Sequence, residues 1–219
     1  SQARRSSPER PTASSVSALR AAYVDRAYDR VVRQARERLQ NSRSATDTAR
    51  VKVLLGQAEQ ARGNHERAIE VLREARAAAY ETDRSLARID RALGESYGAL
   101  YRWSSAASAF RRVLEATPTD QAARLALAEA YRHARQWAGA REQYTHLVRR
   151  DSSNGTWWAR LANCEVELGK IGTAISHFAR AHKLLPQSAD VALTLSRFYR
   201  STMQPDAARA VVDTTLTYR

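Results

Sequence analysis

A chain of 219 residues with 43% apolar and 27% charged side chains has the composition of a folded domain able to bury a core, and no apolar run approaches the roughly 20 residues that cross a bilayer. A single cysteine, Cys164, excludes an internal disulfide and leaves the redox compartment open. The net charge of +13 comes almost wholly from arginine, since Lys52, Lys170 and Lys183 are the only lysines, and the excess lies in residues 1–50 (+6) and 121–188 (+5).

Taken in order, residues 1–15 hold Pro8, Pro11, Arg4 and Arg5 with no apolar anchor. Such a segment cannot offset its own ordering entropy and is expected to be flexible. It is no signal peptide, because no apolar stretch follows the arginines. The chain does not start with Met, so an export signal removed ahead of Ser1 is compatible with it, and cytoplasm and periplasm both stay open. From Val16 to residue 40 the apolar residues Leu19, Tyr23, Tyr28, Val31, Val32, Ala35 and Leu39 recur at helical spacing, with Ser14 or Ser15 suited to cap the start. This reads as one long helix or a degenerate helix pair, an N-terminal cap over the first repeat. Residues 40–47 form a polar linker.

Beyond it one 34-residue unit recurs. Leu93, Leu127 and Leu161 fall 34 apart, as do Ala106, Ala140 and Ala174, and Phe110, Tyr144 and Phe178. The columns run on to Leu195, Ala208 and Val212, and back, across a four-residue insertion near 77–83, to Leu55, Ala68 and Leu72. Inside each unit the apolar spacing is helical and broken once, so each is two antiparallel helices. A small column, Gly56, Gly94, Ala128, Ala162 and Ser196, lies where helix axes must approach to roughly 8–10 Å. A period in this range marks a stacked-repeat architecture, in which no unit buries its apolar face alone. The boundaries read as 49–86, 87–120, 121–154, 155–188 and 189–219.

These units resemble tetratricopeptide repeats, whose pattern Trp-x-x-Leu-Gly-x-x-Tyr, Ala-x-x-x-Phe, Pro is met by Leu93, Gly94, Tyr97, Ala106, Phe110 and Pro118, and again by Trp158, Leu161, Ala162, Ala174, Phe178 and Pro186. Glu59 stands where the family has Tyr, the third unit ends in Ser152, and the fifth has Val212 and Thr215 in late apolar columns. The resemblance implies an all-α, right-handed α-solenoid of five such helix pairs preceded by an N-terminal helix. The last helix, from Pro205 to Thr217, has no successor to cover it. Either its own Asp213, Thr214 and Thr217 serve, or another chain does, a homodimer through this helix being one arrangement.

No catalytic constellation is legible. His65, His133, His146, His177 and His182 show neither HExxH nor a cysteine–histidine zinc spacing, so no metal or cofactor is expected, and the chain reads as a non-enzyme. Cys164 and His177 could approach one another as a nucleophile pair, but a small buried thiol at the helix crossing is the reading favoured. Trp158, in the aromatic column, reads as a packing residue, and Trp157 is the more open of the two to a stacking ligand.

In tetratricopeptide arrays the first helices line a concave groove that takes peptides. The resemblance places there Arg50, Val53, Leu54, Gln57, Arg88, Arg91, Glu95, Leu125, Glu129, Arg132, His133, Arg160, Asn163, Glu167, Asp190, Leu193, Arg197 and Arg200. The arginine bias suits an acidic or carboxylate-bearing segment of another protein, with Leu54, Leu125 and Leu193 as apolar anchors, because exposed ion pairs contribute only about 0–1 kcal/mol each. Pairing of these arginines with groove acids is the competing reading. Only Arg160 and Asn163 match the Lys and Asn set with which some members clamp a terminal carboxylate, so that ligand is not expected. The expectation is therefore an interaction scaffold for a protein or peptide, and the rival is a basic nucleic-acid-binding module using the same charge.

Overall fold

The computed structural model describes residues 15–41, 45–78 and 83–218. The segment 1–14 and most of the four-residue insertion lie outside them. Among the described residues there are twelve α-helices and no strand, in two compact units, Ser1–Pro118 and Thr119–Arg219. The first unit holds α1 (Val16–Val24), α2 (Tyr28–Asn41), α3 (Ala45–Ala61), α4 (His65–Ala78), α5 (Asp83–Ala99) and α6 (Trp103–Ala116). The second holds α7 (Gln121–His133), α8 (Trp137–Arg150), α9 (Gly155–Glu167), α10 (Ile171–Leu184), α11 (Ala189–Ser201) and α12 (Pro205–Thr217). Each unit is an all-α stack of helix hairpins.

Every hairpin turns in the same way. One residue is left-handed: Arg26, Gly63, Tyr101, Arg135, Gly169 and Met203 have φ of 58°, 81°, 58°, 56°, 72° and 59°. The next amide donates to the carbonyl five residues back, as Ala27 to Ala22, Asn64 to Glu59, Arg102 to Tyr97, Gln136 to Tyr131, Lys170 to Glu165 and Gln204 to Tyr199, at 2.8–2.9 Å. This is the Schellman closure, which satisfies carbonyls left without a partner at a helix end. The incoming helices start from side-chain caps where one is present: Ser15 Oγ accepts from the Ala18 amide, Asp120 from Ala123 and Asn154 from Trp157.

The recurrent turn shows that residues 16–41 are a sixth hairpin, the pair being the form adopted. Aligned on Arg26, Leu19 falls in the column of Gly56 and Gly94, and Ala35 in that of Leu72 and Phe110. Both are 0% exposed in one core cluster with Leu54, Leu55 and Val71. The large and small partners have changed places. In the other hairpins of this unit a Cβ on Gly56 would stand 2.5 Å from Leu72 Cγ, and one on Gly94 2.8 Å from Phe110 Cζ. In the second unit Ala128 shares a cluster with Tyr144, and Ala162 one with Phe178. Summed volume at the crossing is conserved, as close packing demands.

The predicted columns form these cores: Leu55, Leu93, Leu127, Leu161 and Leu195 are at most 3% exposed, and Ala68, Ala106, Ala140, Ala174 and Ala208 at most 5%. Phe178 stacks on Phe198, ring centroids 5.9 Å apart, tying α10 to α11. Buried carboxylates are each clasped by cations. Asp90 Oδ1 accepts from Arg76 Nε and Arg112 Nε, both at 2.8 Å, and Glu59 accepts from Arg36, Arg62 and Asn64 at 2.7–3.0 Å. In the family's Tyr column Glu165 does what Glu59 does, meeting His177 Nδ1 at 2.7 Å. On α12, Val212 and Leu216 are 38% and 59% exposed.

Candidate binding surface

The faces of the first helices can be laid out from the left-handed turns. In the first unit Arg50 and Arg88 occupy one column on α3 and α5, and Gln57 and Glu95 another. Extended to α1, the second column contains Arg20, a residue absent from the sequence expectation. It lies at a cleft. A cleft of about 810 Å³ is lined by Val16, Ser17, Arg20, Ala21, Val24 and Asp25 of α1, by Arg50 of α3 and by Arg88 of α5. Three guanidinium groups from three consecutive first helices thus share one space, with Val24 73% exposed at its edge. Asp25 is the acid in the lining, 3.8 Å from Arg30.

Leu54 is a correction. It is buried within the α1–α3 core, because the α1/α2 hairpin covers the part of α3 where it sits, so it is no anchor for a ligand. Gln57 and Arg91 are half-buried and Arg50 and Glu95 exposed. Glu95 Oε2 accepts from Gln60 at 2.8 Å.

In the second unit the expected residues meet in a different way. Glu129 is a hub: its Oε1 accepts from the Tyr144 hydroxyl at 2.6 Å and stands 2.9 Å from Arg160, while its Oε2 accepts from Arg132 Nε and Nη2 at 2.9 and 2.8 Å. Arg132 and Arg160 are therefore engaged by a groove acid, the competing reading for those two. Burial first, then the bond to Glu129, pushes the Tyr144 phenol far above its ordinary range. His133 is held below the usual histidine value by partial burial and by its neighbours Arg132 and Arg160, against Glu129. Leu125 packs on the α7–α9 core, half-buried. On α9 Asn163 is exposed, and on α11 so are Leu193, Arg197 and Arg200. Among the described residues Arg20, Arg88, Arg197 and Arg200 make no ion pair.

Chemistry is not favoured by what is buried. Cys164 is 0% exposed, and burial pushes its thiol up to about 11, opposite to an activated nucleophile. His177 turns to Glu165 and lies against Trp158, rings 5.1 Å apart. Trp157 packs half-buried on the core that contains Cys164. Among the described residues no group of three or more His, Cys, Asp or Glu could hold a metal ion, and no helix is long and apolar enough to cross a membrane.

A family model described as tetratricopeptide repeat matches residues 99–164 and 165–218. Solved structures share the fold at low identity. YrrB, described as a TPR protein with an unusual peptide-binding site, is 16% identical with a TM-score of 0.64 over 84% of this chain and 91% of its own. A MamA structure is 14% identical, TM-score 0.67, over 78% and 92%, and MamA of MSR-1 is 21% identical, TM-score 0.60, over 80% and 94%. No curated protein matches the sequence.

Proposed function

The chain belongs to the tetratricopeptide repeat family, and on that premise we propose that it is a non-enzymatic scaffold, each unit of which offers its own first-helix face to an acidic segment of a partner protein. The observation that carries this is the set of first-helix cations, Arg20, Arg88, Arg197 and Arg200, that no described carboxylate neutralises, beside exposed apolar side chains such as Val24 and Leu193. Arginine presents a fork that meets carboxylates bidentately. Desolvated apolar contact supplies the affinity that exposed ion pairs lack. The peptide-binding site in the description of YrrB supports the same use of the fold.

The test is cross-linked capture with the wild-type chain and two charge-reversed variants. A first-helix variant, Arg88→Glu with Arg197→Glu and Arg200→Glu, should lose the partner that a second-helix variant, Arg73→Glu with Arg180→Glu, retains. Equal capture by both would overturn the assignment to the first-helix faces.

For the end of the second unit, Leu216 stands in the column of Val148 and His182, which are 3% and 7% exposed where a further helix follows. We propose that a second copy of the chain covers Val212 and Leu216. Sedimentation should show a dimer that Leu216→Asp returns to monomer; a wild-type monomer at high concentration would remove this proposal.

A further inference from the structure

We propose that α1 is a working first helix rather than a cap, and that the cleft between α1, α3 and α5 binds a short acidic polypeptide segment whose carboxylates are received by Arg20 and Arg88. This rests on the scaffold reading above and gives it a place and a chemistry.

The sequence columns carry the first half. Arg20 stands in α1 where Gln57, Glu95, Glu129, Asn163 and Arg197 stand in the later first helices, and Val16 where Val53, Arg91, Leu125 and Leu193 stand. These are the positions the family turns toward a ligand. In α1 they line a cleft in company with the same face of α3 and α5. The inverted size pair, Leu19 against Ala35, lets this hairpin pack as the others do while its motif residues differ.

The lining carries the second half. Arg20 and Arg88, which make no ion pair, line the cleft with Arg50 and with one acid, Asp25, and the remaining walls are Val16, Ala21 and Val24 with Ser17. Glu95, bonded to Gln60, is near enough to Tyr23 at the end of α1 to raise its phenol, after burial and Tyr28. The lining is therefore cationic on balance and contains one acid, Asp25. A nucleic acid presents phosphates at regular short spacing and bases that stack on aromatic rings. This lining has no aromatic side chain, and Asp25 would meet a phosphate. A polypeptide can place carboxylates beside the arginines and apolar side chains against Val16 and Val24. The volume, about 810 Å³, is that of a few residues and not of a folded domain.

The experiment uses the full chain and a fluorescein-labelled peptide of alternating glutamate and leucine, read by anisotropy at about 50 mM salt, where electrostatic binding is strongest. Wild type should bind, and Arg20→Glu with Arg88→Glu should weaken binding by about tenfold or more with helix content and melting temperature unchanged. Both side chains are exposed and unpaired, so the fold should survive. Val24→Asp, which removes apolar wall and keeps the arginines, should also weaken it. Arg73→Glu with Arg180→Glu, exposed on second helices, should leave it unaltered. Equal binding by wild type and the Arg20/Arg88 variant overturns the cleft. If Arg197→Glu with Arg200→Glu loses the peptide and the Arg20/Arg88 variant keeps it, the scaffold reading stands and this site does not. No binding to wild type, with partner capture intact, has the same meaning. A single-stranded oligonucleotide that binds more tightly than the peptide and is lost on Arg20→Glu overturns the acidic polypeptide in favour of nucleic acid.

Discussion

Phe110 occupies the space that Gly94 leaves empty: a Cβ on Gly94 would lie 2.8–2.9 Å from three atoms of the Phe110 ring. The α5/α6 hairpin closes only because one partner has no side chain and the other has a large one. Gly94→Ala should therefore destabilise the protein by about 1–2 kcal/mol, the overpacking cost exceeding the gain in helix propensity. Phe110→Leu in the same chain should recover part of it. Urea melts of the single and double variants check this, and additive effects would show that the two residues are not coupled.

Arg135 holds a left-handed φ of 56° at the α7/α8 turn, where Gly169 in the next hairpin has 72°. A non-glycine side chain costs about 1–2 kcal/mol there. Glycine returns part of that as lost backbone entropy, about 0.5–1 kcal/mol. Arg135→Gly should raise the melting temperature by a few degrees at most, and Gly169→Val should lower it by more. Calorimetry decides between these and the reverse order.

His182 takes a place that Val148 holds one repeat earlier. It is 7% exposed, and neither ring nitrogen has a hydrogen-bond partner among the described residues. Burial holds its imidazole below the ordinary histidine value. The unfolded chain takes up a proton near pH 6.5 that the folded chain resists, so stability falls as the pH drops below that value and until the folded group titrates. His182→Leu should stabilise the protein by about 1–3 kcal/mol, the cost of an unsatisfied buried polar group, and more at pH 5.5 than at pH 8. Melting curves that shift equally at both pH values would contradict the burial of a neutral ring.

Cys164 should behave as a core residue. With its thiol buried and pushed up to about 11, the folded protein should react with iodoacetamide at pH 8 far more slowly than the urea-unfolded chain, because the thiolate is the nucleophile. Equal rates would place the thiol at the surface.

The repeat was legible because burial at fixed intervals leaves fixed residue types: every Leu and every Ala of the two predicted columns is in the core. The first hairpin was legible only as one of two alternatives, a long helix or a helix pair, because Leu19 and Ala35 conserve volume while exchanging the large and small places. Glu165 stands in the family's Tyr column with nothing in its local sequence to mark it as buried. A carboxylate there becomes a buried residue only through His177 and Arg141 on the neighbouring second helices. Arginine was the least legible of all. Arg132 and Arg160 read like Arg197 and Arg200 in one dimension, yet the first two are bound to Glu129.

By itself the sequence determined the period, the helix pairs, the residues that pack between them and the family they belong to, since these depend on local spacing and on which side chains leave water. Tertiary structure alone decided which charges are spare and that α1 joins α3 and α5 around one cleft, because an ion pair or a cleft is made by groups far apart along the chain whose meeting no local pattern records.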